Sequence, residues 1–117
     1  MAIATVVQRE TLATAYGNAG TWISCHTAAP SQGAPNEVTG GSPAYARKAT
    51  SWTPGASDGV NNGGQVTIDI PGPTTVTHIG LWTAATAGTF LDSYALGTAQ
   101  TFATQGQLLV TPSFTQT

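Results

Sequence analysis

Gln65-Val66-Thr67-Ile68-Asp69-Ile70 sets Val66, Ile68 and Ile70 on one side of an extended chain and Thr67 and Asp69 on the other. Strict apolar–polar alternation is the mark of a β-strand with one face on a core. Pro71-Gly72-Pro73 stops it, since proline cannot donate to a ladder and glycine favours turns. Downstream, Thr75–Thr83 (TVTHIGLWT) and Thr89–Leu96 (TFLDSYAL) form a predicted hairpin that turns near Ala87-Gly88. Thr101–Ala103 is a short candidate strand. Gln107–Phe114 (QLLVTPSF) is the last, with Pro112 arguing for an edge position or a strand end.

Upstream, Pro54 to Gly64 reads as a loop with Asp58-Gly59 and Asn62-Gly63 turn signals. Tyr45–Trp52 (YARKATSW) reads as a strand. Residues 30–44 are a long turn-rich loop holding Pro30, Pro35, Pro43, Gly33, Gly40 and Gly41. A loop of that length in a small domain is usually functional, packed or an interface element. Thr21–Thr27 (TWISCHT) is rich in β-favouring types, with Ile23 and Cys25 on one face and Trp22, Ser24 and His26 on the other. Residues 4–16 are the one predicted helix. Val6, Val7, Leu12, Ala13 and Tyr16 form its stripe, and Gly17-Asn18 and Gly20 are expected to end it. The expected fold is all-β: one compact, jelly-roll-like sandwich of about seven strands over residues 21–117, preceded by a helix or arm over residues 1–20. No internal repeat is visible.

The chain has 117 residues, a net charge of -2 and only 7% charged residues, against roughly 25% in ordinary soluble domains. Arg9, Arg47 and Lys48 are its only basic side chains. They cannot supply the phosphate neutralisation that nucleic acid requires, nor a polybasic membrane anchor. No apolar run approaches the ~20 residues of a membrane-spanning helix. The start of the chain lacks a basic region followed by an apolar one, so no export signal is expected. A surface built from Thr, Ser, Gln, Asn and Gly is wettable and repels little. It suits a protein that sits in many copies beside itself or against a larger assembly.

The residues offer little chemistry. Glu10, Glu37, Asp58, Asp69 and Asp92 lie in separate elements, with no spacing that pairs two carboxylates. Cys25 is the single cysteine, which rules out an intrachain disulfide and a multi-cysteine zinc site. It could meet His78 as a Cys–His dyad, but a small buried thiol is the stronger expectation. His26 and His78 could share a metal with Asp69 or Asp92, yet no local ligand spacing supports it. Gly40-Gly41 and Gly63-Gly64 match no phosphate-binding motif. Trp22, Trp52, Trp82, Tyr16, Tyr45 and Tyr94 could stack on sugars or a partner, or pack the core. Core packing is expected of Trp82. No catalytic residue, cofactor or metal is expected, and no enzyme.

Three stretches recur together in a known group. Thr21–Pro30 is TWISCHTAAP, Asn36–Arg47 is NEVTGGSPAYAR, and Thr75–Leu91 is TVTHIGLWTAATAGTFL. In that order they resemble small virion structural proteins of tailed bacteriophages, common in phages of actinobacteria. Those proteins are labelled capsid decoration, head fibre, minor tail or tail fibre proteins. Pro43-Ala44 is a small insertion relative to the commonest form of the second stretch. The resemblance implies a non-enzymatic structural role, a compact β-sandwich and no cofactor. It points to Glu37, Tyr45, Arg47 and Trp82 as structural or interface residues. Tyr45 and Arg47 are expected two apart on one strand face, and Glu37 is expected to pair with Arg47 and pin the long loop. Gly80 is expected to allow close backbone approach. The implied place is the virion exterior, as capsid decoration first and as a minor tail, baseplate or receptor-binding component second. The implied partners are other copies of the chain (a trimer first), major capsid or tail proteins, and a host surface glycan in the tail case.

Overall fold

In the computed structural model, residues 3–55 and 58–117 are described. Met1 and Ala2, at the start of the predicted arm, and Ala56 and Ser57, inside the predicted 54–64 loop, lie outside the described residues. Helix α1 runs Val6–Ala19, and the Thr5 hydroxyl caps it by accepting from the Gln8 amide at 3.3 Å. A hydroxyl there satisfies one of the donors that a helix start leaves free. Gly17 does not end the helix as its sequence position suggests. It is buried, and a Cβ there would overlap Asn61 Nδ2 and lie 2.9 Å from Trp52. Glycine is present because the helix lies close on its neighbours, and the turn-off comes at Gly20.

Among the described residues nine strands follow: β1 Trp22–His26, β2 Lys48–Ala49, β3 Trp52–Pro54, β4 Val60–Gly63, β5 Val66–Ile70, β6 Thr74–Trp82, β7 Phe90–Phe102, β8 Gly106–Val110 and β9 Ser113–Thr115. They form a four-stranded sheet in the order β2-β1-β6-β7, a three-stranded sheet β3-β4-β9 and a pair β5-β8. The all-β, sandwich-like architecture is as expected, and the β6–β7 hairpin turns where the sequence predicts. The body measures 47 × 24 × 24 Å.

The strand count exceeds seven for identifiable reasons. The predicted strand Tyr45–Trp52 is divided between two sheets. Thr50 sits at the division, its amide donating to Thr21 O at 2.8 Å and its hydroxyl to Gly64 O at 2.7 Å. Tyr45 and Arg47 fall outside any strand. The predicted 54–64 loop contains β4, whose sequence VNNG is poor in strand formers. It is held between β3 and β9, and Asn61 Nδ2 donates to the helix carbonyl of Ala13 at 2.9 Å. The predicted last strand breaks at Pro112 into β8 and β9, which belong to different sheets. Thr101–Ala103 is no separate strand, because β7 already extends through Phe102.

Val66, Ile68 and Ile70 are buried, as their alternation requires, with Ile23, Cys25, Val76 and Leu81. β1 is buried on both faces. Its register with β6 pairs Ser24 with Gly80, Cys25 with Ile79 and His26 with His78. Directly paired residues share a face, and sequence neighbours do not. Cys25 and His78 therefore point to opposite sides of the sheet, which removes the dyad as a geometric possibility.

The same register explains Gly80. A Cβ there would overlap Ser24 Oγ and lie 2.9 Å from Trp82 Nε1 and 3.1 Å from His26 Nε2. Gly80→Ala is expected to cost about 2–3 kcal/mol through overpacking. Urea unfolding measures it. A loss below about 0.5 kcal/mol would show that the site relaxes freely.

Candidate functional site: a buried polar knot and an open groove

Glu37, Tyr45, Arg47 and Trp82 come from three separate segments and meet at one place. Glu37 sits in the long loop, which is tied to β1 by Thr27 N donating to Asn36 O at 2.9 Å and Val38 N to Cys25 O at 3.0 Å. The Arg47 guanidinium grips the Glu37 carboxylate in a fork, Nε to Oε2 at 2.8 Å and Nη2 to Oε1 at 3.0 Å. Its Nη1 donates to the carbonyls of Ala84 at 3.1 Å and Ala87 at 2.9 Å in the β6–β7 turn. Its planar face lies 4.0 Å from the centre of the Trp82 ring, a favourable cation–π distance. Tyr45 OH donates to Glu37 Oε2 at 2.7 Å and accepts from the Cys25 amide at 3.0 Å.

Tyr45 and Arg47 thus reach one carboxylate from an irregular segment, where the sequence had placed them on a strand face. The correction has a simple cause. The Tyr45 amide is spent inside the loop, donating to Gly40 O at 2.8 Å, and ladder pairing with β1 begins only at Lys48.

The network continues into the core. Trp82 Nε1–H donates to Ser24 Oγ at 2.8 Å, and Ser24 lies 2.6 Å from His26 Nε2. His26 Nδ1 lies 3.1 Å from Pro35 O. A carbonyl only accepts, so Nδ1 carries the proton and Nε2 accepts from the serine hydroxyl. Every member of this chain is satisfied with a neutral imidazole.

The electrostatics follow. Burial alone would raise the Glu37 carboxyl, but the hydrogen bonds from Arg47 and Tyr45 outweigh it and hold it below the usual carboxylate range. Burial, reinforced by the Glu37 carboxylate, pushes the Tyr45 phenol up. Burial also pushes the Cys25 thiol up to about 12, so it is no nucleophile at neutral pH. Burial lowers the His26 pKa. Among the described residues, no three His, Cys, Asp or Glu side chains group as a metal site would require. The knot can hold three segments in one geometry. Its Arg47 side chain is 4% exposed and its Glu37 side chain 15%.

His26 is expected to make the fold acid-sensitive. Its folded pKa lies below the unfolded value of about 6.5. Its contribution is therefore complete above about pH 6.5 and declines as pH falls, because the unfolded chain takes up the proton more readily. Stability measured by urea unfolding is expected to decline from about pH 7 to about pH 5, with His26→Gln flattening the slope. An equal slope in the variant would remove His26 as the cause.

A second feature escaped the sequence reading. An open groove of about 800 Å³ lies between β7 and β8–β9, with Tyr94, Leu96, Leu108 and Val110 along its walls. At one end Tyr16 stacks on Phe114 at 3.8 Å and meets Trp52 edge-on at 5.7 Å. Tyr16 OH donates to Asp92 Oδ2 at 2.7 Å. The available signal was charge: from Phe90 to Thr117 only Asp92 is charged.

A family model described as Podophage GP4 fiber I protein gp80 matches residues 2–115. No curated protein and no solved structure matches the chain. The family match runs from before α1 to the end of β9 and takes in both the knot and the groove. The chain belongs to the podophage GP4 fiber I protein gp80 family, a family of phage fibre proteins.

Proposed function

We propose that this protein is a non-catalytic structural subunit on the exterior of the phage particle, held there by many weak, nearly uncharged contacts. The observation that carries the reading is the family match across residues 2–115. Two features of the molecule support it. The polar knot spends its functional groups on one another, as expected of a part that must keep its shape. The chain also carries only 7% charged residues, so copies can approach closely with little repulsion. Multivalent attachment then supplies strength that no single contact has.

Capsid decoration, with copies around symmetry axes of the head and a trimer as the first arrangement, is the primary placement. The fibre description of the family favours a second, at the tail, where a host surface glycan is the natural partner. Immunogold electron microscopy of intact virions with an antibody to this chain separates them. Label over the head supports decoration, and label at the tail end supports the second placement. Unlabelled virions would overturn the structural reading.

A further inference from the structure

We propose that residues 31–36, the tip of the long loop, form an acid-released lid over His26. This property of the loop is independent of where on the particle the protein sits.

His26 ends β1 and is fully buried, whereas the tip beside it is exposed except at the half-buried Ala34. Few ties hold the tip down. His26 Nδ1–H donates to Pro35 O at 3.1 Å, and the Thr27 amide donates to Asn36 O at 2.9 Å. The Gln32 side chain donates to Gly88 O at 2.9 Å and accepts from the Phe90 amide at 2.8 Å. The flanks are firmer. Pro30 is buried, and so is Val38, whose amide donates to Cys25 O at 3.0 Å. Inside the tip, Ala34 and Asn36 sit at φ of 54° and 61°, a left-handed conformation that strains residues other than glycine. Opening relieves that strain.

A proton on His26 unsettles what lies beneath. With Nδ1 already donating, the second proton goes to Nε2 and turns it from acceptor to donor. Ser24 Oγ then faces two donors, this one and Trp82 Nε1–H, and its own hydroxyl hydrogen loses the Nε2 acceptor. Charge adds to the misfit. Among the described residues, the charged or titratable groups facing the ring are Glu37 from the loop, Arg47 from the segment before β2 and His78 from β6. Glu37 attracts an imidazolium, but its carboxylate already accepts the Arg47 fork and the Tyr45 hydroxyl. Arg47 is a cation. His78 pairs directly with His26 on the same face and becomes a second cation once protonated. A buried charge without a free counter-charge is costly, and the tip is the one cover of His26 that belongs to no sheet. Lifting it admits water while the Glu37–Arg47 fork and the β1–β6 ladder stay closed.

The direction follows from linkage. With the lid open the imidazole is solvated and titrates near about 6.5. With the lid closed, burial holds it lower. The open form binds the proton more tightly, so the open fraction rises by up to about tenfold per pH unit below about 6.5. Opening also has a target. Gln32, Gly33 and Ala34 form one wall of a crevice of about 510 Å³, with Ala85–Gly88 opposite and Trp82 in its lining. Gln32 bridges the two walls, so releasing it widens the crevice toward the indole.

Hydrogen exchange followed by NMR on the full chain, corrected for the intrinsic pH dependence of exchange, tests this at the Thr27 amide. Opening there is expected to be at least about tenfold more frequent than at the β5 amides. It is expected to rise about tenfold from about pH 7.5 to about pH 5.5, and His26→Gln is expected to abolish the rise. No rise, an equal rise in the variant, or opening no more frequent than in β5 overturns the proposal; the last would mean that the whole fold yields. Should His26→Gln fail to fold, Gln32→Ala decides. It loosens the lid without touching His26, and by reciprocity it must move the folded His26 pKa up toward about 6.5, read from the ring proton shifts. A ring titration left in place by Gln32→Ala overturns the lid.

Discussion

Arg47→Ala is expected to destabilise the fold by about 3–5 kcal/mol, the range for removing one partner of a buried ion pair. In a chain of this size that corresponds to a fall of roughly 10–20 °C in melting temperature. The magnitude does not come from Coulomb attraction across the fork, which desolvation largely offsets. It comes from what is left behind. Glu37 keeps only the Tyr45 hydroxyl on a carboxylate that burial disfavours. The carbonyls of Ala84 and Ala87 lose their donor, and the Trp82 ring loses the plate that covers it. Lys48→Ala, at the exposed neighbouring position, is expected to change stability by less than about 0.5 kcal/mol.

Arg47→Lys is expected to recover less than half of the loss, because an ammonium cannot reproduce the planar fork or the stack. Exchanging the charges, Glu37→Arg with Arg47→Glu, is expected to restore nothing, since a glutamate at 47 cannot donate to two carbonyls. The pair also has a pH signature. The folded Glu37 carboxyl lies below the usual range, so its contribution is complete above about pH 4.3 and is lost as pH falls further. A loss of under about 1 kcal/mol for Arg47→Ala in urea unfolding would show that the knot holds nothing in place.

What was legible in the sequence was what alternation and side-chain type encode locally. Val66, Ile68 and Ile70 announce their buried face without help from the rest of the chain. Ala87-Gly88 announces a turn, and both residues adopt positive φ there. Gly80 between Ile79 and Leu81 marked a close approach, and the crowding comes from the Ser24, His26 and Trp82 side chains. The misses share a different cause. β4 is a strand because β3 and β9 flank it, although Val60-Asn61-Asn62-Gly63 has no preference for that state. Gly17 looked like a helix stop and is a packing contact, since one residue type serves both ends. The division of Tyr45–Trp52 depends on Thr21 and Gly64, which are distant in sequence. At the site, the pairing of Glu37 with Arg47 came from the resemblance carried by the Asn36–Arg47 stretch, and the two side chains do pair, at 2.8 Å. The groove could not be seen, because it depends on which sheet each of β7, β8 and β9 joins.

Trp82→Ala is expected to match or exceed the Arg47 effect, at about 3–5 kcal/mol. Trp82 is 1% exposed, and its ring is flanked by His26 at 6.4 Å, Phe90 at 5.2 Å and the Arg47 guanidinium at 4.0 Å. Burying an indole is worth roughly 4–6 kcal/mol by area, at 25 cal/mol for each of the 150–250 Å² involved. Partial collapse of the β6–β7 turn into the space recovers some of that. Trp82→Phe keeps most of the burial but removes the Nε1–H donor to Ser24 Oγ, for an expected loss of about 1–2 kcal/mol. The two large effects are not independent. Arg47→Ala and Trp82→Ala each destroy the same cation–π stack, so the double variant is expected to fall short of their sum by about 1 kcal/mol. A double-mutant cycle in urea reads this term directly. Additivity within about 0.3 kcal/mol would mean that the guanidinium gains nothing from the indole beneath it. The Arg47 effect would then belong entirely to Glu37 and the two turn carbonyls.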